Sequence, residues 1–296
     1  MNRKVVATIV GGIGNQLFCY AAARRLALKN EAALCLDLDF FRSDVNFGRA
    51  YRLDSFALSP HETRRTPRRL PARLDHYALR LKRKAATTGL LPGRDWLIEA
   101  VPGVFEARLL EARVSRSTVL DGYWQDERYF ADIGPVLRDD LRFRPEEDSR
   151  VRELEARILS SNAVAVHSRR LHGVTPTNRA GASDALDANY YLKAIAAIAD
   201  RVERPEFFCF GDDPRWLIEQ WPRDLPVTVV HDAGPGGEVT DLRLMSRCRH
   251  FVIANSTFSW WGAWLGADPA KVVAAPRSKG LQYEVRSAAG WIEVDW

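Results

Sequence analysis

The chain alternates short apolar runs with turns and Ala/Leu-rich stretches, and this alternation limits the folds open to it. Residues 5–10, Val-Val-Ala-Thr-Ile-Val, are β-branched and apolar with little polar alternation, as expected of a strand covered on both faces in a parallel sheet. The run ends in Gly11-Gly-Ile-Gly14-Asn15-Gln16, after which a helix is predicted over 17–29 and a second strand over 32–38. Strands are also predicted over 118–122, 163–166, 206–210, 227–230, 251–254 and 271–275, with helices over 190–202, 214–220, 241–248 and 258–265. A polar break at 145–149, Pro-Glu-Glu-Asp-Ser, interrupts the series. Alternation on both sides of one break predicts two α/β domains with mostly parallel sheets, 1–148 and 149–296.

Composition excludes several alternatives. With 296 residues, 46% hydrophobic and 27% charged, the chain is globular and long enough to bury a core without staples. The net charge of +5 is mild and suits a pocket for a small anion better than a nucleic-acid track. Cys19, Cys35, Cys209 and Cys248 contain no CxxC pair and are expected to be buried free thiols. The amino-terminal apolar run is too short for a signal peptide or a membrane span, so the expected location is the cytoplasm. Between Arg64 and Lys84 stand nine Lys/Arg and one acid, Asp75. This stretch reads as a solvated basic face or as a docking face for an anionic acceptor or the inner membrane surface.

In open α/β sheets ligands sit at the carboxyl ends of strands, so the strand-to-helix turns are the candidate chemistry. At Gly11–Gln16 a dinucleotide fingerprint would require a third glycine where Leu17 stands, which argues against an oxidoreductase. Asn15 is a plausible helix N-cap there. After residues 163–166 come His167-Ser-Arg169-Arg170-Leu-His172, and this cluster suits bidentate grip on a phosphate. Asp212 and Asp213 follow the strand at 206–210 and suit a ribose, a metal or a helix cap. Asn255-Ser256-Thr257-Phe258-Ser259 delivers hydroxyls and free amides onto a helix start, the makings of an anion site. Trp260, Trp261 and Trp264 behind it read as core and interdomain packing, with stacking on a base as the alternative. Asp37-Leu-Asp39 has the spacing of a divalent-cation pair, but strand-end acids are common and no metal site is assigned to it.

These residues resemble the bacterial α-1,2-fucosyltransferases, a branch of the GDP-fucose-dependent inverting glycosyltransferases similar to glycosyltransferase family 11. Gly11-Gly-Ile-Gly-Asn-Gln16 matches the family's opening turn. His167-Ser-Arg-Arg170 resembles its His-x-Arg-Arg-x-Asp motif. The most distinctive likeness is Leu244-Met-Ser-x-Cys248-x-His250 followed by Asn255-Ser-Thr-Phe-Ser-Trp-Trp-Gly-Ala-Trp264. Gly122-Tyr-Trp-Gln125, Tyr129-Phe130, Phe210-Gly-Asp-Asp213 and Trp216 are lesser echoes. Residues 50–115 are unmatched, and His172 stands where the family has an acid.

The resemblance implies a GT-B-like α/β fold: two facing Rossmann-like domains with an active-site cleft between them, the amino-terminal one holding the acceptor and the carboxy-terminal one a GDP-sugar. It implies no metal or other cofactor. Gly14, His167, Arg169, Arg170, Asp212, Asn255, Ser256, Thr257 and Ser259 would meet the donor, and Gln16, Trp124, Gln125 and Asp126 the glycan or glycoconjugate acceptor. An acceptor hydroxyl would displace GDP with inversion, with Arg169 and the amides at 256–259 stabilising the departing phosphate. Asn15 would approach the leaving group or acceptor oxygen but cannot act as a base near neutral pH. His172 and Asp126 are candidate bases. Transfer of L-fucose in α-1,2 linkage is the expectation; another GDP-sugar, such as L-galactose or another 6-deoxyhexose, is the alternative. A non-catalytic sugar-nucleotide or glycan-binding module is disfavoured by the phosphate-facing arginines.

Overall fold

Two parallel sheets organise the chain. The computed structural model describes residues 3–43, 48–65, 81, 85, 95–169, 186–212, 214–230, 237–279 and 287–296. The contacts divide it into two units, Met1–Arg144 and Pro145–Trp296.

In the first unit the strands are β1 (Lys4–Thr8), β2 (Ala33–Asp37), β3 (Glu62–Arg64), β4 (Asp95–Ile98) and β5 (Ser117–Asp121). Their order is β3-β2-β1-β5-β4, every pair is parallel, and Val5 lies between Leu34 and Thr118. Central β1 is buried at Val5, Val6 and Ala7, which is why its run lacks polar alternation. Helix α1 (Ile13–Lys29) supplies the crossover to β2 and buries Leu17, Phe18, Tyr20 and Leu26. It is tied to helix α2 (Gly134–Asp140) by the buried Asp140, which accepts from Tyr20 Oη at 2.7 Å and Arg24 Nε at 2.8 Å. Hydrogen bonds of this kind offset the cost of taking a carboxyl group out of water.

The second unit contains helix α3 (Ser149–Leu159), β6 (Ala163–Ser168), α4 (Ala188–Ala199), β7 (Glu206–Gly211), α5 (Pro214–Ile218), β8 (Val227–Val229), α6 (Gly237–Arg247), β9 (His250–Val252), α7 (Thr257–Leu265), β10 (Val273–Pro276) and β11 (Ile292–Val294). The sheet runs β11-β10-β9-β6-β7-β8, with all pairs parallel. Counted within the unit, this is the 3-2-1-4-5-6 order of doubly wound dinucleotide-type folds. Alternate residues of β6 feed opposite faces: Val164 and Val166 pack with Tyr190, Ile195 and Phe207, and Ala163 and Ala165 with Phe208, Leu244 and Phe251. The cores on both faces leave β6 wholly buried. Buried Arg243 of α6 lies 3.6 Å from Glu146 and 3.9 Å from Glu155, pairing the start of the unit with two of its helices.

Several expectations change. The predicted helix at 17–29 begins four residues earlier, at Ile13. Gly11 adopts φ +75, which glycine reaches without the cost of a Cβ, and Gly12 is the N-cap, so the whole Asn15-Gln16 pair is helical. Asn15 is therefore not the cap. β3, β4, β11, α2 and α3 were not predicted: the strands are three or four residues long, α2 is seven, and the apolar stripe of α3 at Val151, Leu154 and Ile158 is set in an otherwise charged segment. The four cysteines are free and buried, and burial pushes the Cys19 and Cys209 thiols up to about 12. Among the described residues no helix is long and apolar enough to cross a membrane. Most of the basic 64–84 stretch, together with Arg170, His172 and Asp213, lies outside the described residues.

Candidate functional site

Strand order decides which turns become neighbours. In the second unit the strand order reverses between β6 and β9, and a crevice for ligands opens at the carboxyl ends of strands at such a reversal. β6 there runs into Arg169, and β9 leads to Ser256 at the N-cap of α7. Arg169 Nη1 donates to Ser256 Oγ at 3.2 Å, and Ser256 Oγ accepts from the Phe258 amide at 3.3 Å. The hydroxyl thus caps the helix and anchors the guanidinium at once. Amides of the first helical turn have no partner within the helix, and the macrodipole places partial positive charge there. A guanidinium beside a helix N-terminus is a site for an anion such as a diphosphate.

His167, the last residue but one of β6, is 7% exposed and stacks on Phe258 with ring centroids 5.0 Å apart. Burial, reinforced by Arg169, lowers its pKa to about 3, with Asp212 opposing weakly. The ring is therefore neutral at neutral pH, and its buried Nδ1 has no partner among the described residues. Asp212 is exposed just past β7, while Asn255 and Thr257 are half-buried around the cap. Ser259 is a correction. It is fully buried, and its hydroxyl turns inward to the carbonyls of Ala254 at 3.1 Å and Ser256 at 3.2 Å. It shapes the turn and cannot present that hydroxyl to a donor. Trp260 and Trp261 are packed in the interior, as expected.

The first unit shows the same logic. Its strand order reverses between β1 and β5, which brings the turn at 11–16 beside the turn at 122–126. Gln125 Nε2 donates to Asn15 Oδ1 at 2.9 Å across this reversal. Gln125 is 4% exposed, and its Oε1 is buried without a partner among the described residues. Trp124, buried against Tyr129, holds φ +55. That left-handed conformation costs a non-glycine residue about 1–2 kcal/mol, and such strain concentrates at functional turns. Gly14 is buried in the first turn of α1.

Two acceptor-side expectations are corrected by hydrogen bonding. Gln16 is fully buried; its Nε2 donates to Gly11 O and Ala50 O, both at 2.9 Å, and its Oε1 accepts from the Arg52 amide at 2.9 Å. It fastens the glycine turn to residues 50–52 and has no surface left for a ligand. Asp126 caps a short 3-10 turn through the Arg128 amide at 3.0 Å and pairs with the Arg128 guanidinium at 2.6 Å. A carboxylate committed in this way is poorly placed to act as a base. Asp37 pairs with Arg64 and also accepts from the Asp39 amide at 3.1 Å. Among the described residues no group of three or more His, Cys, Asp or Glu side chains could hold a metal. Sequence reasoning missed Glu99, a buried carboxylate under the 122–125 turn. It lies in the stretch without motif matches.

Comparison with known proteins agrees with this architecture. The model of glycosyl transferase family 11 matches residues 103–294. An alpha-1,2-colitosyltransferase of Escherichia coli is 30% identical, over 92% of this chain and 91% of that protein. The O-antigen biosynthesis glycosyltransferase WbnK of Escherichia coli is 27% identical, over 90% and 92%. Among solved structures, fucosyltransferase NodZ from Bradyrhizobium has a similar fold, with a TM-score of 0.53 at 15% identity over 92% of this chain and 95% of that one. NodZ alpha-1,6-fucosyltransferase soaked with GDP-fucose gives a TM-score of 0.56 at the same identity and coverage. These neighbours share the GT-B-type fold of two Rossmann-like units. With its family model matched over more than half its length and a relative 30% identical across nearly all of it, the chain belongs to glycosyl transferase family 11 and is a glycosyltransferase.

Proposed function

We propose that the protein transfers L-fucose, or another 6-deoxyhexose, from its GDP-sugar to a hydroxyl of a glycan or glycoconjugate, with inversion and in α-1,2 linkage. The observation that carries this reading is the junction of Arg169 with Ser256 at the N-terminus of α7. It offers a fixed charge, a hydroxyl and helix amides to a diphosphate. The α-1,2 linkage and the deoxy sugar are supported by the relative named an alpha-1,2-colitosyltransferase, colitose itself being a deoxyhexose. The guanosine diphosphate is supported by the neighbour solved with GDP-fucose.

In this mechanism Arg169 and the first-turn amides of α7 meet the charge that develops on the departing β-phosphate oxygen. Neutral His167, packed on Phe258, shapes the same end of the sheet without adding charge. Asn255, Thr257 and Asp212 contribute polar groups for the sugar and nucleoside. Arg170 is proposed as a second phosphate ligand, and His172 as a base or sugar contact. In the first unit Asn15, held by Gln125, orients the acceptor hydroxyl. No metal is assigned a part in the reaction.

A donor panel tests the proposal. The protein is incubated with GDP-L-fucose, GDP-colitose, GDP-L-galactose or UDP-galactose in the presence of lactose and other oligosaccharides, and nucleotide release is measured. Release confined to the GDP-sugars, with a product carrying a new α-1,2 linkage, is expected. Preference for the UDP-sugar would overturn the donor assignment.

A further inference from the structure

We propose that Glu99 is a positioning residue of the acceptor side: its carboxylate locks the turn at 122–125 so that Gln125 stays clamped on Asn15. This rests on the reading that Asn15 and Gln125 serve the acceptor. Glu99 immediately follows β4, and its amide donates to Asp121 O at 2.9 Å, continuing the pairing with β5 past the last ladder residue. The side chain, 8% exposed, then reaches over the next turn. Its Oε2 accepts from the Tyr123 amide at 2.7 Å, and its Oε1 from the Trp124 amide at 3.2 Å and the Gly103 amide at 3.4 Å.

The surrounding geometry is built to admit this carboxylate. A Cβ on Gly122 would stand 2.4 Å from Glu99 Cβ and 2.9 Å from its Oε2, so only glycine leaves room. The carbonyl of Gly122 accepts from the Cys19 thiol of α1 at 3.3 Å, and the Asp126 amide closes on Trp124 O at 2.9 Å. Trp124 is thereby held at φ +55, and the next residue, Gln125, points its amide at Asn15. The Gln125 Oε1, left buried and unpartnered among the described residues, is an acceptor aligned beside the one polar side chain of the glycine turn that is half-exposed. Such a group suits a ligand hydroxyl. Both Glu99 oxygens already accept amide protons, so the carboxylate acts through the turn.

Glu99→Gln tests this directly. A glutamine presents an NH₂ where one oxygen stood, setting donor against donor at the Tyr123 or the Trp124 amide. In selectively ¹⁵N-labelled protein, the side-chain amide resonances of Gln125 and Asn15, assigned with Gln125→Ala and Asn15→Ala, are expected to shift or broaden. GDP affinity, read by calorimetry, is expected to stay unchanged. Transfer with the donor and acceptor found above should lose about tenfold or more in efficiency, expressed mainly in the acceptor KM, as expected of a small misplacement. Unchanged amide resonances, an unchanged acceptor KM or a loss of GDP affinity would each overturn the proposal. If Glu99→Gln fails to fold, Glu99→Asp keeps the charge but withdraws the carboxylate from the Tyr123 and Trp124 amides by one methylene, and is held to the same readouts. Absence of transfer by the parent protein with every GDP-sugar would count against the proposed function, while the amide resonances would still decide the role of Glu99.

Discussion

Arg169 Nη1 donates to Ser256 Oγ at 3.2 Å, joining the residue that follows β6 to the N-cap of α7. The two lie 87 positions apart in the chain. Arg169→Ala should lower turnover by about 10²–10³, the usual cost of one transition-state donor, with little change in unfolding free energy. Arg169→Lys should restore little, because a lysine lacks the planar fork. Near-normal turnover in either variant would remove Arg169 from phosphate stabilisation.

Ser256 separates capping from ligand binding. Ser256→Ala removes the acceptor for the Phe258 amide and should destabilise the second unit by about 1 kcal/mol. Ser256→Asp keeps a capping oxygen but adds negative charge at the proposed diphosphate position. Urea titration should show near-parental stability for the aspartate variant, while calorimetry shows weakened GDP binding. Undiminished GDP affinity in Ser256→Asp would move the diphosphate elsewhere.

Gln16 should prove to be a residue of stability. Gln16→Ala removes three hydrogen bonds, to Gly11 O, Ala50 O and the Arg52 amide, and each is worth about 0.5–1.5 kcal/mol net. Denaturant unfolding should show a loss of at least this size. A stable variant with a selectively raised acceptor KM would instead make Gln16 a ligand contact.

His167 should give stability a pH dependence. Its folded pKa is depressed to about 3 by burial and by Arg169, whereas an unfolded histidine titrates near about 6.5. The unfolded chain therefore binds the extra proton first, and this contribution to stability falls as pH drops from about 6.5 towards about 3. His167→Phe should flatten that part of the urea-stability profile between about pH 7 and pH 4. An unchanged slope would mean that other groups dominate.

Chelation should leave turnover unaltered. Asp37, the first acid of the Asp-x-Asp pair, is already neutralised by Arg64, and a carboxylate so paired is a poor ligand for a hard cation. Turnover lost with EDTA and restored by Mg²⁺ or Mn²⁺ would overturn this expectation.

The alternation that identifies two α/β units is local. Continuous apolar runs such as 163–166 and 207–210 are legible because strands covered on both faces require them. The turns at 11–16, 167–169 and 255–259 are legible for a related reason, since polar groups directly after a buried strand demand an explanation. The start of α1 was misplaced because Gly11 and Gly12 permit an earlier turn than capping preference suggests. Glu99 was not visible at all, because an acid after a four-residue strand has no distinguishing period.

Hydrogen-bond commitments also lie beyond sequence patterns. Gln16 and Asn15 are adjacent in a helix, yet one faces inward to three backbone groups and the other meets Gln125. Ser256 and Ser259 lie three residues apart in one motif, but only Ser256 touches Arg169. Helical position and burial make these distinctions, and composition does not.

By itself the sequence determined which segments are strands buried on both faces and which turns bear polar groups. Only the tertiary structure decided the strand order, β3-β2-β1-β5-β4 and β11-β10-β9-β6-β7-β8, and hence that Asn15 meets Gln125 and Arg169 meets Ser256. Hydrophobic period is a property of neighbouring residues, whereas parallel pairing joins strands separated by whole crossovers, so the partners at each sheet reversal are set by non-local packing.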